Sequence, residues 1–387
     1  YIGTRVPSGN PFDGRLDEMR VAGTARSADW IRAQYASMNG TFATLGNEES
    51  FIPAPPMLHK RQITFNNSTR TEALENFPVL IHLTGADFDF TKTKCDGRDI
   101  RFFDADGVTP LSHEIESWDI ATQQAYIWVK VPQIDALSST DSIWMHYGNP
   151  ALADAQNPAA VWSDGFSAVW HMNETSGTMV SDSTGNGWDG TASANVVRNA
   201  DGMVNGADEY PDGLNNHTRI KGGAMASLVD GFTFESWVYV GASANYDRIF
   251  THNAPNHQFQ VVWATNKLQV ARNDGTYSYP RLTAATPAAR GSWHHFVWVF
   301  DGSSDHLYIN GAPVVNEAPT SSGTANGENS YNYIGARDAN NKHFKGKLDE
   351  MRLATAVRSA AWVDAQYAAM TGDFAALGAE VTVPLEI

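Results

Sequence analysis

One block of the sequence occurs twice. The stretch that begins at Tyr1, YIGTRVPSGNPFDGRLDEMRVAGTARSADWIRAQYASMNGTFATLGNEE, aligns without a gap with the stretch that begins at Tyr333, and 27 of the first 48 positions are identical. The two stretches start 332 residues apart, whereas solenoid repeats recur roughly every 20 to 50 residues. The repeat therefore indicates duplication of whole domains, and it predicts that residues 1–50 are the C-terminal part of a preceding domain of the same kind.

Each copy combines a strand pattern with a helix pattern. In the second copy, KLDEMRLA alternates in the manner of a strand, and Ser359 is placed as the N-cap of a helix over AAWVDAQYAAM that Gly372 ends. In the first copy, Ser27 and Gly40 hold the same places. We expect a strand followed by a short α-helix at the end of each repeated domain.

The residues between the copies are rich in β-forming segments. FIPAPPML contains three prolines and predicts a stiff linker over 51–59. Short runs rich in valine, isoleucine and aromatic residues follow, separated by Gly, Asp, Asn and Pro turns, first over 60–158 and then over 159–382. This spacing predicts an all-β protein with two β-sandwich domains, a smaller sandwich followed by a larger jelly roll.

Composition excludes several classes of partner. The chain has 27 basic and 43 acidic residues, a net charge of −16, which argues against binding to nucleic acids or anionic membranes. No apolar run approaches the roughly 20 residues that span a bilayer, so we expect no membrane insertion in this segment. Cys95 is the single cysteine, which rules out a disulfide framework and a cysteine zinc site.

Five motifs of the larger region resemble the LamG-like, concanavalin A-like jelly-roll superfamily. They are WHMNETSGTMVSDSTGNGWDG, FTFESWV, WHHFVWVFDG, HLYINGAPV and KGKLDEMRLA, and they stand in the family's order over about 160 to 380. The smaller region, with DGRDIRFFDADG, HEIESWD, IWVKVP and IWMHYGNP, is similar to the domain of unknown function 2341. That domain often precedes a LamG-like domain in large bacterial surface or periplasmic proteins, so the resemblance implies a secreted, cell-surface or periplasmic location.

The resemblance also implies a calcium site. Jelly rolls of this superfamily often hold one Ca²⁺ between an early acidic loop and an aspartate of the last strand, which here points to Asp182 and Asp349, with Glu174 as a helper. The loop NETSGTMVSDSTGNG offers the oxygen ligands that calcium prefers. The alternative is that Asp182 is a turn former whose side chain bonds its own backbone.

Strand alternation in LDEMR predicts two faces. Asp349 should share the inner face with Met351 and Leu353, which makes it a partly buried carboxylate in need of partners. Glu350 and Arg352 should form an ion pair on the other face that contributes little to stability.

Sequence motifs for catalysis are absent. A retaining glycosidase on this fold places two carboxylates on one strand face, typically as Glu-x-Asp-x-x-Glu, and no such motif occurs. The nearest acidic group, Glu114, Glu116 and Asp119 in EIESWD, is interpreted as a surface strand with solvated carboxylates. We therefore expect the protein not to be an enzyme.

Aromatic residues outside the alternating core suggest a sugar-binding edge. The loop NDGTYSYP places Tyr277 and Tyr279 beside Asn273, and Trp188 lies in a glycine-rich loop. The alternative is that such aromatic residues are core residues.

Together these patterns predict a non-catalytic extracellular recognition or adhesion module that binds carbohydrate or a cell-surface protein, with calcium support. The rival hypothesis is a structural spacer repeat in a rod or fibre, in which other copies of the repeat are the partners. On either hypothesis, upstream residues or another copy would complete the domain to which Tyr1 to Gly46 belong.

Overall fold

The computed structural model describes residues 15, 17–40, 57–212, 215–221, 231–241, 247–252, 259–264, 266–272, 282–284, 288–317, 331–339 and 342–383. Residues 1–53 form one compact unit and residues 54–387 form another. None of the α-helices within the described ranges is long and apolar enough to cross a membrane.

The first unit contains the helix α1, Ala28–Met38. The Ser27 side chain caps it by accepting a hydrogen bond from the Trp30 backbone N–H at 3.2 Å. No residue of this helix is buried, and Trp30 is 44% exposed.

The smaller sandwich of the second unit is built from two antiparallel sheets. Its strands are β1 His59–Phe65, β2 Leu74–Thr84, β3 Arg101–Phe103, β4 Pro110–Leu111, β5 His113–Asp119, β6 Gln124–Ile134 and β7 Ser142–Tyr147. A 3-10 turn, Phe90–Lys92, follows β2, and the short helix α2, Pro158–Val161, follows β7. One sheet has the order β2-β6-β5, and β1, β7, β3 and β4 adjoin one another in the other.

The larger sandwich also has two antiparallel sheets. Its strands are β8 Phe166–Trp170, β9 Met179–Val180, β10 Gly190–Ala192, β11 Val197–Asp201, β12 Gly206–Tyr210, β13 Thr218–Lys221, β14 Phe232–Val240, β15 Asp247–His252, β16 Phe259–Ala264, β17 Lys267–Arg272, β18 Leu282–Thr283, β19 Trp293–Phe300, β20 Asp305–Ile309, β21 Ala312–Glu317, β22 Tyr331–Ile334 and β23 Gly346–Ala354. The sheets run β18-β17-β16-β15-β22-β13-β10-β9 and β11-β12-β23-β14-β19-β20-β21, with β8 also paired to β23. The predicted all-β class with two sandwiches is confirmed.

The chain then returns to the smaller sandwich. The helix α3, Ala360–Thr371, is capped by Ser359 and ends at Gly372, whose φ of 87° is the left-handed conformation that glycine adopts most easily. The last described strand, β24 Ala375–Thr382, pairs with β1 and becomes the edge of the five-stranded sheet. Residues near the C-terminus therefore complete the smaller sandwich rather than the jelly roll.

α3 packs its apolar face into the core of the smaller sandwich. The Trp362 ring meets Phe77 edge-on, with 4.7 Å between the ring centroids, and Phe374 lies 5.5 Å from Phe77. These residues belong to one hydrophobic core with Trp128 and Trp162. The two sandwiches thus share apolar packing, and residues 54–387 form a single compact unit.

A β-bulge in β23 changes the predicted alternation of LDEMR. Pairing with β14 shifts between Asp349 and Arg352, and Glu350 has a φ of 47°, the conformation of a bulge residue. The prediction that Asp349 shares a face with Met351 is wrong, because the bulge brings Leu348 into the jelly-roll core beside Met351 instead. Glu18, the counterpart of Glu350 in the first copy, has the same φ of 47°.

Candidate functional site

Charged side chains gather where the two sandwiches meet. We call this group the interface cluster. The smaller sandwich supplies Glu114 and Glu116 from β5, and the jelly roll supplies His171, which follows β8, Glu235 from β14, His295 from β19, and Asp349, Glu350 and Arg352 from β23. Burying this many ionisable groups is unfavourable unless each finds partners, so its hydrogen bonds decide what the cluster does.

Two tryptophans of the smaller-sandwich side hold Arg352. The guanidinium carbon lies 4.4 Å from the ring centroid of Trp128 and 4.8 Å from that of Trp162. Both distances are within the range of cation–π attraction, which strengthens when the pair is removed from water. An arginine of the jelly roll thus occupies an aromatic slot beneath the neighbouring sandwich.

The same tryptophans bind the carboxylates with their ring N–H groups. Trp128 Nε1 donates to Glu116 Oε2 at 2.8 Å, and Trp162 Nε1 donates to Glu114 Oε2 at 2.5 Å. Each ring therefore contacts the arginine with its face and a glutamate with its edge. These contacts fix the orientation of both tryptophan rings relative to Arg352 and the two glutamates.

His171 lies between three carboxylates. Its Nδ1 is 2.6 Å from Glu350 Oε1 and 3.5 Å from Glu116 Oε2, and its Nε2 is 3.3 Å from Glu114 Oε2. Ser183 donates to the second oxygen of Glu114 at 2.7 Å. His171 therefore bridges the two sandwiches through carboxylates on both sides.

Arg352 continues the cluster into the jelly roll. Its guanidinium contacts the carboxylate of Glu350 and lies 3.3 Å from Glu235 Oε1. His295 Nε2 lies 2.9 Å from the same oxygen of Glu235. The predicted Glu350–Arg352 pair is confirmed as a contact, but both side chains are at most 1% exposed, so it is a buried pair and not the weak surface pair expected.

The interpretation of Glu114 and Glu116 as solvated carboxylates is wrong. The Glu116 side chain is fully buried, and that of Glu114 is 10% exposed. The strand that carries them packs against the jelly roll, and both glutamates lie within 3.5 Å of His171. Sequence alternation alone does not reveal that a second domain covers this strand.

The acidic residues of the cluster fall into two groups, one with raised and one with lowered pKa values. Burial, followed by the charge of Glu350, raises the pKa of Glu116 and of Asp349 well above the usual value. In Glu114, Glu235 and Glu350, by contrast, burial is outweighed by cationic neighbours, and the pKa is lowered. Burial therefore favours the neutral form of Glu116 and Asp349, whereas cationic neighbours favour the ionised form of Glu114, Glu235 and Glu350.

The cations of the cluster are held in the charged form. Burial opposes the charge of His171, but Glu350, Glu114 and Glu116 outweigh it and raise the pKa of the imidazole well above its usual value. The pKa of Arg352 is raised in the same way by Glu235 and Glu350. Glu114, Glu235 and Glu350, whose pKa values are lowered, are the carboxylates that contact these two cations.

One group of side chains within the described ranges has ligand atoms close enough together to hold a metal ion. It consists of Glu116, His171 and Glu350. Their residue types suit a transition metal. However, Nδ1 of His171 is already bonded to Glu350, Trp128 donates to Glu116, and the guanidinium of Arg352 contacts Glu350. These internal partners fit a hydrogen-bonded ion cluster better than a metal centre.

The residues of the predicted calcium site lie apart. Asp182 accepts hydrogen bonds from the backbone N–H groups of Val169 at 3.1 Å, Thr184 at 3.1 Å and Trp188 at 3.0 Å. This is the geometry of a turn-forming aspartate, the alternative considered above. Glu174 accepts from the Ser181 N–H at 2.6 Å and pairs with an arginine.

Asp349 lies within the interface cluster. Its Oδ2 accepts from the N–H groups of Met203 at 2.7 Å and Val204 at 2.9 Å, and its Oδ1 is buried without a hydrogen-bond partner. The structure does not bring Asp182, Asp349 and Glu174 together as one group of metal ligands. Calcium binding by these residues stays a prediction.

The predicted ligand edge is largely outside the described ranges. Three of its four residues, Asn273, Tyr277 and Tyr279, lie outside the residues that the structure describes. Trp188 is partly buried and packs against the jelly-roll core, and its carbonyl accepts from Trp170 Nε1 at 2.9 Å. Its role as a ligand contact also stays a prediction.

Sequence reasoning singled out neither His171 and Glu235 of the interface cluster nor the two tryptophans that contact the cluster. Trp128, Trp162 and His171 each stand in a β-rich or loop segment with no motif for ionic chemistry. The one sequence feature that could have indicated the cluster is its acidic composition, because EIESWD and LDEMR are acidic strand segments in two different domains. Neither segment indicates by itself that the other is its neighbour.

Two family models match the chain. Residues 96–191 match a domain of unknown function, DUF2341. Residues 212–364 match Laminin_G_3, described as the concanavalin A-like lectin/glucanases superfamily. No curated protein matches the chain.

Solved structures resemble parts of the chain at low identity. The binding domain of Paraclostridial Mosquitocidal Protein 1 is 14% identical, with a TM-score of 0.44, over 53% of this chain and 52% of that one. The binding domain of botulinum neurotoxin DC in complex with rat synaptotagmin II is 9% identical, with a TM-score of 0.44, over 54% and 52%. The match therefore spans about half the length of these toxin domains.

A third structure matches over nearly its whole length. Domain 4 of AbnA, a GH43 extracellular arabinanase from Geobacillus stearothermophilus, in complex with arabinotriose, is 20% identical, with a TM-score of 0.40, over 51% of this chain and 96% of that one. The all-β architecture agrees with the two family models: the match to the concanavalin A-like lectin/glucanases superfamily over residues 212–364 follows the DUF2341 match over residues 96–191.

Proposed function

We propose that the chain is a non-catalytic extracellular recognition module, in which the smaller sandwich holds the jelly roll in a fixed orientation toward a carbohydrate or a cell-surface protein. We place it in a secreted, cell-surface or periplasmic protein. The superfamily of the jelly roll contains lectins, and loops at the ends of β-sandwich strands often carry binding sites.

The observation that carries the proposal is the burial of the interface cluster. A glycoside hydrolase needs its two carboxyl groups on either side of a bound substrate. Here Glu116 and Glu350 are fully buried, and their oxygens accept hydrogen bonds from Trp128, His171 and Arg352. These contacts favour a structural joint over a catalytic pair.

Glycan-array binding of the whole chain, in calcium and in chelator, tests the recognition function. We expect saturable binding to at least one glycan or surface protein, and loss in chelator would support the calcium prediction. Measured glycosidase activity that Glu116→Gln abolishes would overturn the non-catalytic assignment.

A structural spacer role is the second candidate, and the repeat favours it. Leu16 to Arg20 repeat the strand segment that includes Glu350 and Arg352, and Glu18 repeats the backbone angle of Glu350. A protein built from such joints would form a stiff array. Absence of any glycan or protein ligand, together with one rigid shape in small-angle scattering for residues 54–387, would favour this role.

A further inference from the structure

A cleft of about 550 Å³ opens between the smaller sandwich and the segment that returns to it from the jelly roll. Residues of β1, β2, β6, α3 and β24 line it, together with Met203 from the loop before β12. Ligand pockets commonly have volumes of about 300 to 1,000 Å³ and lie at domain junctions. The cleft therefore has the size and the place of a binding site.

The floor of the cleft is apolar. Leu80, Ile81 and Met370 line it and are each at most 5% exposed. Apolar floors of this kind favour ligands with C–H surfaces, since contact removes that surface from water.

An aromatic pair forms part of the wall. The rings of His82 and Tyr126 stack with their centroids 4.4 Å apart and their planes 11° apart. His82 Nε2 lies 2.6 Å from Gln124 Oε1, which fixes the orientation of the imidazole. Since His82 is exposed, the pair presents a rigid, partly polar surface at the mouth of the cleft.

The rim is polar but carries little free charge. Asp87 uses Oδ1 to accept from the Thr84 N–H at 2.9 Å, and the guanidinium of Arg61 contacts the Asp87 carbonyl. The last turn of α3 lines the opposite side, where helix carbonyl groups carry a partial negative charge. Within the described ranges no lysine or arginine lines the cleft, so an anionic ligand would lack a counter-charge.

We propose that this cleft binds a short neutral saccharide, an inference that rests on the recognition function proposed above. A sugar ring presents C–H groups to the apolar floor and the aromatic pair, and its hydroxyl groups donate to acceptors on the rim. The site lies at the junction of the two sandwiches, and α3 both lines the cleft and packs into the core at that junction.

Two adjacent alanines of β24 provide a matched test. Ala375 lines the cleft, whereas Ala376 is exposed and points to the other face of the sheet. Titration calorimetry on the whole chain with maltose, cellobiose, lactose and xylobiose should detect saturable binding of at least one. Ala375→Trp should weaken it about ten-fold or more, which corresponds to about 1.4 kcal/mol, and Ala376→Trp should leave it unchanged.

His82→Ala provides a second variant at an exposed position. It should also weaken binding, and its thermal unfolding should match that of the natural chain. Equal binding by the Ala375→Trp and natural chains would overturn the cleft as the site and leave the recognition function standing. If none of these sugars binds but the glycan array is positive, the cleft is likewise overturned as the site and the recognition function stands. If the sugars do not bind and the glycan array is also negative, both proposals are overturned.

Discussion

The guanidinium carbon of Arg352 lies 4.4 Å from the centre of the Trp128 ring, although the two residues belong to different sandwiches. Trp128 also donates its ring N–H to Glu116, which approaches the same histidine as Glu350. This relationship makes one cationic side chain the meeting point of both domains.

Arg352→Met should destabilise the second unit by about 3–5 kcal/mol, because it removes the main cation of buried Glu235 and one of the two cations that contact buried Glu350. The repeat supplies a matched control: Arg20 is its counterpart, pairs with Glu18 and is 56% exposed. Arg20→Met should change the free energy of unfolding by about 0.5 kcal/mol or less. Urea unfolding followed by tryptophan fluorescence measures both, and equal effects would contradict the role of Arg352.

Neutralising Glu116 and neutralising Glu350 should change stability by unequal amounts. Glu116→Gln should change stability at neutral pH by about 1 kcal/mol or less, since burial and the charge of Glu350 raise the pKa of Glu116 and favour its neutral form, and an amide oxygen can still accept from Trp128. Glu350→Gln removes the charge that His171 and Arg352 need, and should destabilise by about 3 kcal/mol or more. A larger loss in Glu116→Gln than in Glu350→Gln would refute this division of charge.

Stability should be greatest at mildly acidic pH. Glu114, Glu235 and Glu350 have lowered pKa values, so their contribution is present above the unfolded value of about 4.3 and is lost as pH falls below it. His171 and Glu116 have raised pKa values, so their contribution is lost as pH rises toward the folded values.

The melting temperature measured from pH 4 to pH 9 checks this dependence. We expect a maximum near pH 5, just above the unfolded carboxyl pKa of about 4.3, because the contribution of Glu116 begins to be lost above that value. The decline on the alkaline side should be shallower in Glu116→Gln. A melting temperature that rises steadily to pH 8 would be inconsistent with a protonated Glu116.

Removal of β24 should expose the edge of the smaller sandwich. This strand pairs with β1, and its Glu380 is bonded to Lys92 Nζ at 2.6 Å and to the Tyr147 hydroxyl at 2.7 Å. A chain that ends at residue 374 should show faster amide exchange throughout β1 than a chain that ends at residue 383. Unchanged protection of β1 would show that β24 adds nothing to this sheet.

The architecture was largely predictable because it depends on local patterns. Alternating runs separated by turn residues indicated two sandwiches, and Ser359 and Gly372 marked the start and end of α3. Capping and turn formation involve residues only a few positions apart in sequence. The family motifs then placed the domains in the observed order.

The interface cluster was not predictable for two physical reasons. The bulge at Glu350 adds one residue to one strand and reverses the faces of the residues before it, so regular alternation misplaced Asp349. Glu114 and Glu116 were interpreted as solvated because burial by another domain leaves no trace in the alternation of their own strand. Contacts between His171 and Glu350, 179 residues apart, require the folded arrangement.

Differential scanning calorimetry of the whole chain at about pH 6 tests most directly whether the cluster joins the two sandwiches into one unit. We predict a single transition for residues 54–387, with equal calorimetric and van't Hoff enthalpies, as expected of cooperative unfolding. Arg352→Met should split it into two transitions or lower its van't Hoff enthalpy. Two independent transitions in the natural chain would contradict the account.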